Sequence, residues 1–246
     1  TLFPYTTLFL RATLDAVRLV RRLEPKLVVS VGGYAAGPVA AAAVMLGIKV
    51  ALIEPNRTVG MTQRLLGPVA SRVYVGFPDA ASGYGARGRA LGVPLRAGFS
   101  PCPLPETPVP MLLVMGGSQG ASHLNAVVPE AAAEMVRRGQ LRVVHQTGRG
   151  HEVTARQSWQ LGLGGGRDLA ASGVEVVEFV DDVPSYLKAA HLVLCRAGAL
   201  TCAELVAVGR PALLIPFPHA ADDHQMKNAR ALESHGAARV LAQGDA

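Results

Sequence analysis

The stretch that decides the fold is Met111-Leu-Leu-Val-Met-Gly-Gly-Ser-Gln-Gly-Ala-Ser-His-Leu-Asn125. Its first five residues are apolar and predict a buried strand, and the glycines that follow predict a turn. A helix is expected from the turn to Arg138, and the next run, Leu141–Gln146, predicts a second strand. A strand, a glycine-rich loop, a helix and another strand form the repeating unit of a parallel, doubly wound sheet.

The same unit recurs on both sides of this stretch. Upstream, the pattern predicts a helix at Leu10–Leu23, a strand at Leu27–Val31, a glycine turn, an alanine-rich helix from Gly37 to about Gly47, and a strand at Ile48–Ile53. Downstream, further strands are predicted at Val174–Val180, His191–Cys195, Ala212–Ile215 and Ala238–Leu241. The sequence therefore predicts an α/β protein with two doubly wound units facing a cleft, the first with only two or three strands.

A proline-rich segment separates the two units. Residues 101–110 contain five prolines, which are incompatible with helix or sheet interiors, so we expect a stiff connector between domains at 10–100 and 111–246. Residues 1–9 have no helical or strand period and lack the charged start of a signal peptide. We interpret them as an artefactual leader, and we expect the opening elements of the first domain to lie upstream of residue 10.

The charge of the chain is concentrated in its first part. Residues 1–100 hold 12 Lys and Arg against 4 Asp and Glu, whereas residues 101–246 hold 12 against 14. This asymmetry indicates either an anionic partner, such as lipid or nucleic acid, or an ordinary basic surface. Nucleic acid is disfavoured, because there is no Lys/Arg-rich block with interleaved aromatic residues.

Cysteine usage and the length of the apolar runs indicate the cellular compartment of the protein. The three cysteines show no CxxC spacing, which argues against a disulfide framework or a zinc site and indicates a reducing cytoplasm. No apolar run approaches the roughly 20 residues of a membrane-spanning helix.

The glycine loop is the first of three motifs that carry chemistry. Gly116, Gly117 and Gly120 let the backbone approach a ligand closely, Ser118 adds a hydroxyl, and the following helix offers free N–H groups. This pattern suits a pyrophosphate, although a purely structural turn is the alternative. It is neither a Walker loop nor G-x-G-x-x-G, so ATP and NAD fit poorly.

The second and third motifs follow later strands. In Cys195-Arg-Ala-Gly-Ala-Leu-Thr-Cys-Ala-Glu204 a strand ends and a helix begins. Thr201 and Glu204 form either a capping box or, at a nucleotide-binding strand end, a ribose site that uses the carboxylate. The loop Pro216–Asn228 follows a buried strand, and its Asp223 and Gln225 are expected to contact sugar hydroxyls.

Together these motifs resemble the MurG family of GT-B glycosyltransferases, which transfer N-acetylglucosamine from UDP-N-acetylglucosamine to lipid I in bacterial peptidoglycan synthesis. The resemblance runs from residue 10 to the end. It rests on Gly32-Gly-Tyr-Ala-Ala-Gly-Pro38, Glu54-Pro-Asn56, Gly92-Val-Pro-Leu-Arg96, Gly116-Gly-Ser-Gln-Gly-Ala121, Phe179-Val-Asp-Asp182, Arg196-Ala-Gly-Ala-Leu-Thr201 with Glu204, and Asp223-His-Gln225 with Asn228.

The resemblance implies a role for individual positions. Ser118 and the loop Gly116, Gly117 and Gly120 would hold the UDP phosphates. The Val180 backbone would read the uracil edge with Arg96 nearby, residues Ala199, Leu200 and Thr201 would line the nucleotide, and Glu204 would bind the ribose. Gln225 and Asn56 would contact the N-acetylglucosamine, and the loop Gly32, Gly33 and Gly37 would face the acceptor's diphosphate.

The resemblance also implies partners and location. The partners would be UDP-N-acetylglucosamine, undecaprenyl-linked lipid I and an anionic membrane surface, with no nucleic acid, cofactor or metal, at the cytoplasmic face of the plasma membrane. Asp181-Asp182 and Asp222-Asp223 are interpreted as solvated or capping residues. The family's first glycine loop, with its histidine, is expected before residue 10, and its last helix after Ala246, so no catalytic residue is assigned and the activity of this chain itself is left open.

Three other functions remain as alternatives. One is another GT-B transferase with a lipid acceptor, such as a diacylglycerol glycosyltransferase. A second is a non-catalytic UDP-sugar-binding subunit. A sugar-nucleotide epimerase is disfavoured, because the sequence offers no evident pair of acid and base carboxylates.

Overall fold

The computed structural model describes residues 3–166 and 168–245. The chain forms two compact units, Thr1–Pro94 and Leu95–Ala246. Each unit is a parallel sheet with helices in the connections, as the repeating strand, loop and helix pattern predicts.

The first unit contains a four-stranded sheet. Its elements are α1 (Phe3–Leu23), β1 (Leu27–Ser30), α2 (Ala36–Met45), β2 (Lys49–Glu54), α3 (Met61–Leu66), β3 (Arg72–Val75), a 3-10 segment (Pro78–Arg87) and β4 (Gly88–Ala90). The strand order is β1-β2-β3-β4, and every pair is parallel. Leu52, Val73 and Val75 form the core with the alanines of α2, because small side chains let this helix lie close to the sheet.

Two features of the first unit differ from the sequence-based prediction. Helix α1 begins at Phe3, so the predicted start at Leu10 is wrong. Pro4 lies in the first turn, where a missing N–H costs nothing, and no glycine interrupts the chain before Leu10. The interpretation of residues 1–9 as a leader stays a prediction. Strands β3 and β4 were not predicted, because neither contains a continuous apolar run: β3 begins with Arg72, and β4 is Gly-Arg-Ala.

The second unit contains a six-stranded sheet. Its elements are β5 (Met111–Met115), α4 (Ser122–Arg137), β6 (Arg142–Gln146), α5 (Glu152–Gly162), β7 (Val174–Val177), α6 (Val183–Ala189), β8 (Leu192–Cys195), α7 (Ala199–Val208), β9 (Ala212–Leu214), α8 (His224–Ser234) and β10 (Ala238–Val240). All pairs are parallel, in the order β10-β9-β8-β5-β6-β7. If β5 to β10 are renumbered 1 to 6 and the sheet is read from β7, the strand order is 3-2-1-4-5-6, as in the doubly wound nucleotide-binding fold.

The core of the second unit is continuous and apolar. Leu113, Val114 and Val193 are fully buried in the central strands, and the fully buried Trp159 of α5 belongs to the same apolar cluster as Val114. The predicted strand 174–180 ends early, at Val177. The N–H groups of Thr147 and Gly148 donate to the carbonyl oxygens of Val177 and Glu178, and residues 179 and 180 make no further backbone hydrogen bond within the described chain.

The proline-rich segment belongs to the second unit. The buried Arg210 donates hydrogen bonds to the carbonyl oxygens of Cys102 and Pro103 at 2.9 and 2.7 Å. The division between the units therefore falls at Pro94 and Leu95, before the segment and not within it. Among the described residues, no helix is both long enough and apolar enough to cross a bilayer.

Candidate functional site

The site of the second unit lies where the strand order reverses. Strands β5 and β8 are hydrogen-bonded neighbours, and the chain leaves them in opposite directions along the sheet. Helix α4 follows β5 through the loop 116–121, and helix α7 follows β8 through residues 196–198. Two helix N-termini, each with free N–H groups and a positive dipole end, therefore follow adjoining strand ends.

The three glycines of the first loop shape it and do not offer their own N–H groups. The Gly116 N–H donates to the Gln146 carbonyl oxygen at 3.1 Å, and the Gly120 N–H donates to the Gly117 carbonyl oxygen at 3.0 Å. The Gly117 N–H donates to Gln146 Oε1 at 3.0 Å. The N–H groups of these three glycines therefore already have partners within the protein, and the role of the loop in holding the UDP phosphates stays a prediction.

The donors available to a ligand lie next to the glycines. Ser118 and Gln119 are exposed, and within 3–166 and 168–245 neither N–H has a hydrogen-bond acceptor. The first turn of α4 begins at Ser122, and N–H groups in a first turn have no partner inside the helix. Together with the Ser118 hydroxyl, these groups form a compact set of donors that suits an anion with several oxygens.

Gln146, the last residue of β6, is hydrogen-bonded to this loop. Gln146 is 5% exposed and binds both the N–H and the C=O of Gly117. His145 lies beside it in a buried chain: Trp159 Nε1 donates to His145 Nδ1, and His145 Nε2 lies 3.0 Å from Asn125 Oδ1. Burial lowers the pKa of His145 to about 4, so the ring is neutral at pH 7 and donates from Nε2. The sequence-based search missed these residues, although polar side chains ending a buried strand were a usable signal.

Helix α7 settles one of the alternatives left open by the sequence. Its N-cap is Gly198, and Thr201 lies inside the first turn, so the capping-box hypothesis for Thr201 and Glu204 is wrong. The three residues that were expected to line the nucleotide form the first turn of α7: Ala199, Leu200 and Thr201.

Glu204 is a buried carboxylate with no hydrogen-bond donor. It is 9% exposed, and no residue of the described chain donates a hydrogen bond to it. Burial raises its pKa, and the charge of Arg96 acts in the opposite direction. The Glu204 oxygens are not among the fully buried side-chain atoms that lack a partner, so they are open to solvent or to a ligand, and either can supply the donor that the described residues do not.

Arg96 and Val180 belong to the same unit and lie close together. Arg96 Nη2 donates to the Asp181 carbonyl oxygen at 3.2 Å, and its guanidinium lies over the Phe99 ring. The Val180 side chain is buried, and its backbone N–H and C=O have no partner in the described part of the chain. Asp182 accepts a hydrogen bond from the Ser185 N–H at the start of α6, which confirms its interpretation as a capping residue.

The third loop is held by Arg196. Its guanidinium donates to the carbonyl oxygens of Ile215 and Pro216 and lies over the Phe217 ring. Gln225, the predicted sugar contact, accepts a hydrogen bond from the Phe217 N–H through Oε1 at 2.9 Å. Its Nε2 remains available to a ligand within the described residues.

The first unit places its predicted residues around two loops. Gly32 and Gly33 have φ of 86°, and a side chain at Gly32 would lie 2.3 Å from the Gln63 amide nitrogen. Gly37 is buried in α2. Asn56 donates to Glu54 Oε1 through both its backbone N–H and its side chain, so the buried Glu54 sets its orientation.

Comparison with known proteins identifies the family. The model of the glycosyltransferase family 28 C-terminal domain matches residues 111–246, and that of the N-terminal domain matches residues 2–75. The crystal structure of MurG from Acinetobacter baumannii matches with a TM-score of 0.74 and 31% identity, covering 98% of this chain and 68% of that one. The chain belongs to the MurG family of glycosyltransferases.

Curated MurG-type relatives agree along the whole chain. A protein of Sorangium cellulosum is 50% identical over 94% of this chain and 56% of its own length. A protein of Acidithiobacillus ferrooxidans is 44% identical over 95% of this chain and 63% of its own length. Both are named UDP-N-acetylglucosamine--N-acetylmuramyl-(pentapeptide) pyrophosphoryl-undecaprenol N-acetylglucosamine transferase. The chain thus spans less than two thirds of these relatives, and the predicted family and GT-B fold class are confirmed.

Within this MurG-family chain, the two units divide the predicted residues. The second unit contains Arg96, Ser118, Val180, Ala199, Leu200, Thr201, Glu204 and Gln225 together with the glycine loop 116–120. Asn56 and the loop 32–37 belong to the first unit. Arg96 was expected in the N-terminal domain, and the observed division assigns it to the second unit instead.

Proposed function

We propose that the protein is an inverting glycosyltransferase that moves N-acetylglucosamine from UDP-N-acetylglucosamine to lipid I, forming lipid II. The observation that carries this proposal is the family relationship combined with an unpartnered donor set at the switch point of the second sheet. Relatives with 44–50% identity along nearly the whole chain carry the name of this transferase. The activity of the whole protein is inferred from them, because the chain spans only part of their length.

In this proposal the UDP diphosphate binds over the start of α4. The N–H groups of Ser118 and Gln119, the Ser118 hydroxyl and the first turn of α4 donate to its oxygens. As the bond to the sugar breaks, negative charge develops on the departing UDP. Fixed donors and the helix dipole stabilise that charge without rearranging, which lowers the barrier to transfer.

The nucleoside occupies the adjoining loops. The Glu204 carboxylate accepts hydrogen bonds from the ribose hydroxyls, which supply donors that residues 3–166 and 168–245 do not. The free N–H and C=O groups of Val180 pair with the uracil edge, and Arg96 keeps the neighbouring backbone in place through Asp181. Uracil presents its N3–H donor next to a carbonyl acceptor on this edge, and these two groups complement the C=O and the N–H of Val180.

The sugar and acceptor complete the proposed reaction. Gln225 and Asn56 contact the N-acetylglucosamine, and the loop Gly32–Gly37 faces the diphosphate of lipid I. The C4 hydroxyl of the acceptor's muramyl residue attacks the anomeric carbon as UDP leaves from the opposite side, so the configuration inverts. No residue of this chain is assigned as the base that removes the hydroxyl proton.

Helix α1 is proposed as the contact with an anionic membrane surface at the cytoplasmic face. It packs on α2 through the buried Ala16 and Val20, whereas Leu10 and Leu14 are 63% and 62% exposed. Arg11 lies between those leucines in the sequence and is also exposed. Apolar side chains beside arginines suit the boundary between lipid headgroups and acyl chains, where the polyprenyl acceptor is found.

Calorimetry and a transfer assay test the proposed function. UDP should bind more tightly than GDP or ADP, and equal affinities would contradict the nucleotide assignment. Radiolabelled sugar from UDP-N-acetylglucosamine should move to a lipid I analogue in detergent. Transfer to diacylglycerol favours the other lipid acceptor, UDP binding without any transfer favours a non-catalytic subunit, and a changed sugar in the nucleotide indicates an epimerase.

A further inference from the structure

We infer that Gln146 is a positioning residue for the phosphate-binding loop: its carboxamide fixes the Gly117–Ser118 peptide so that the Ser118 N–H faces the ligand. This inference rests on the proposed binding of a nucleoside diphosphate at that loop. Gln146 lies at the end of β6, 29 residues from Gly117 in the sequence, and it is 5% exposed.

The carboxamide makes three hydrogen bonds that determine its orientation. Oε1 accepts from the Gly117 N–H at 3.0 Å. Nε2 donates to the Gly117 carbonyl oxygen at 3.1 Å and to the Glu178 carbonyl oxygen at 2.8 Å. If the amide were rotated by 180°, Oε1 would face two carbonyl oxygens, so the observed arrangement is the one that satisfies every donor.

The bond to the Gly117 carbonyl oxygen sets the direction of the next N–H. The carbonyl of Gly117 and the N–H of Ser118 belong to one planar trans peptide and point in opposite directions. Gln146 Nε2 and the Gly120 N–H both hold that carbonyl oxygen toward the protein. The Ser118 N–H therefore points away from β6, and it has no acceptor among residues 3–166 and 168–245.

The other end of the loop is held by a second buried contact. Asn125 Nδ2 donates to the Thr147 carbonyl oxygen at 3.0 Å, and His145 in turn holds Asn125. A side chain at Gly120 would lie 2.5 Å from that same carbonyl oxygen, so the loop passes directly against it. With Thr147 fixed, the Gly120 end cannot move to compensate for a lost contact at Gly117.

Two substitutions separate the donor function from simple packing. Gln146→Glu keeps the shape but places a second oxygen against the carbonyls of Gly117 and Glu178, which disfavours the observed peptide orientation. Gln146→Met keeps the length without charge or hydrogen bonds, and it remains measurable if the glutamate variant does not fold. Methionine can hold neither group of Gly117, and an ionised glutamate can accept from the N–H but cannot donate to the C=O. Because a protonated glutamic acid could do both, the methionine variant gives the decisive comparison.

The experiment compares UDP with uridine by calorimetry in the intact chain. The ratio of the two affinities reports the diphosphate contribution, because both ligands share the nucleoside. We expect each variant to lower UDP affinity about 10- to 100-fold, as for the loss of one or two buried hydrogen bonds. Uridine affinity should stay within about threefold of the wild type, since its proposed contacts do not involve Gln146.

A matched control removes a similar contact at the other end of β5. His191 Nδ1 accepts from the Met111 N–H at 3.0 Å, so His191→Leu also removes a side-chain hold on a backbone N–H. It should lower thermal stability while keeping the wild-type ratio of UDP to uridine affinity. Variants of Gln146 that retain that ratio, or lose both ligands equally, overturn the positioning role. If wild-type protein binds UDP no better than uridine, the proposed phosphate site itself is overturned.

Discussion

Replacing Glu204 by alanine tests the ribose site most directly. Glu204 is 9% exposed and receives no hydrogen bond from the described residues, so the ribose hydroxyls would be donors that this part of the chain does not itself supply. Each charge-assisted bond to a ribose hydroxyl is worth about 1.5–3 kcal/mol. The substitution should therefore weaken UDP binding by about 10- to 150-fold per hydroxyl.

The stability of the same variant should change in the other direction. Gly198 caps α7, so no cap is lost, and alanine is a good helix former. Burial raises the pKa of Glu204 above its ordinary value of 4.5, which means that the ionised form opposes folding. The stability linked to this group is present below pH 4.5 and is lost as the pH rises through the raised pKa. At pH 7 the variant should be at least as stable as the wild type.

Calorimetry with UDP and 2′-deoxy-UDP isolates the contact. The wild type should bind UDP more tightly than the deoxy ligand, and Glu204→Ala should remove that difference. Glu204→Gln keeps the volume and should retain part of the difference, because a neutral acceptor is weaker. UDP affinity in the wild type should also fall as the pH drops below the raised pKa of Glu204. Loss of thermal stability at pH 7 with an unchanged preference for UDP would refute the ribose role.

Three further predictions concern the loop, the buried histidine and the membrane helix. Gly120 has φ of 76° and no room beside Thr147, so Gly120→Ala should weaken UDP binding at least about tenfold by calorimetry without affecting uridine. Because burial lowers the pKa of His145 from 6.5 to about 4, the stability linked to the neutral ring is fully present above pH 6.5 and is lost as the pH falls toward 4. The loss amounts to about 3 kcal/mol in the free energy of unfolding measured with urea. His145→Gln should reduce this dependence of stability on pH. The double variant Arg11→Ala, Arg22→Ala should bind anionic liposomes about 30-fold more weakly at low salt, measured by co-sedimentation, and its binding to neutral liposomes should not change. Equal binding of the wild type to anionic and neutral liposomes would exclude α1 as the electrostatic contact.

Local pattern was sufficient to predict the strands with continuous apolar runs and the glycine turn after β5. The run 111–115 is apolar along its whole length, as a strand buried on both faces must be, and its predicted bounds match β5. The glycines after it were predicted to form a turn, and two of them have the positive φ that other residues rarely adopt. Shorter or exposed elements such as β4 lacked this signal, because three residues at a sheet edge need no apolar side chains.

The functional groups of the loop depended on contacts between distant residues. The sequence by itself determined that a glycine loop would join β5 to α4 and that Glu204 would follow β8, since neighbouring residues encode those features. Only the tertiary structure decided that the Gly117 N–H donates to Gln146 while the Ser118 N–H has no acceptor among the described residues. The same holds for Gly198 as the cap of α7 and for Arg96 in the second unit. Hydrogen-bond partners across a sheet are selected by strand order, and strand order is a property of the packed chain that no local pattern records.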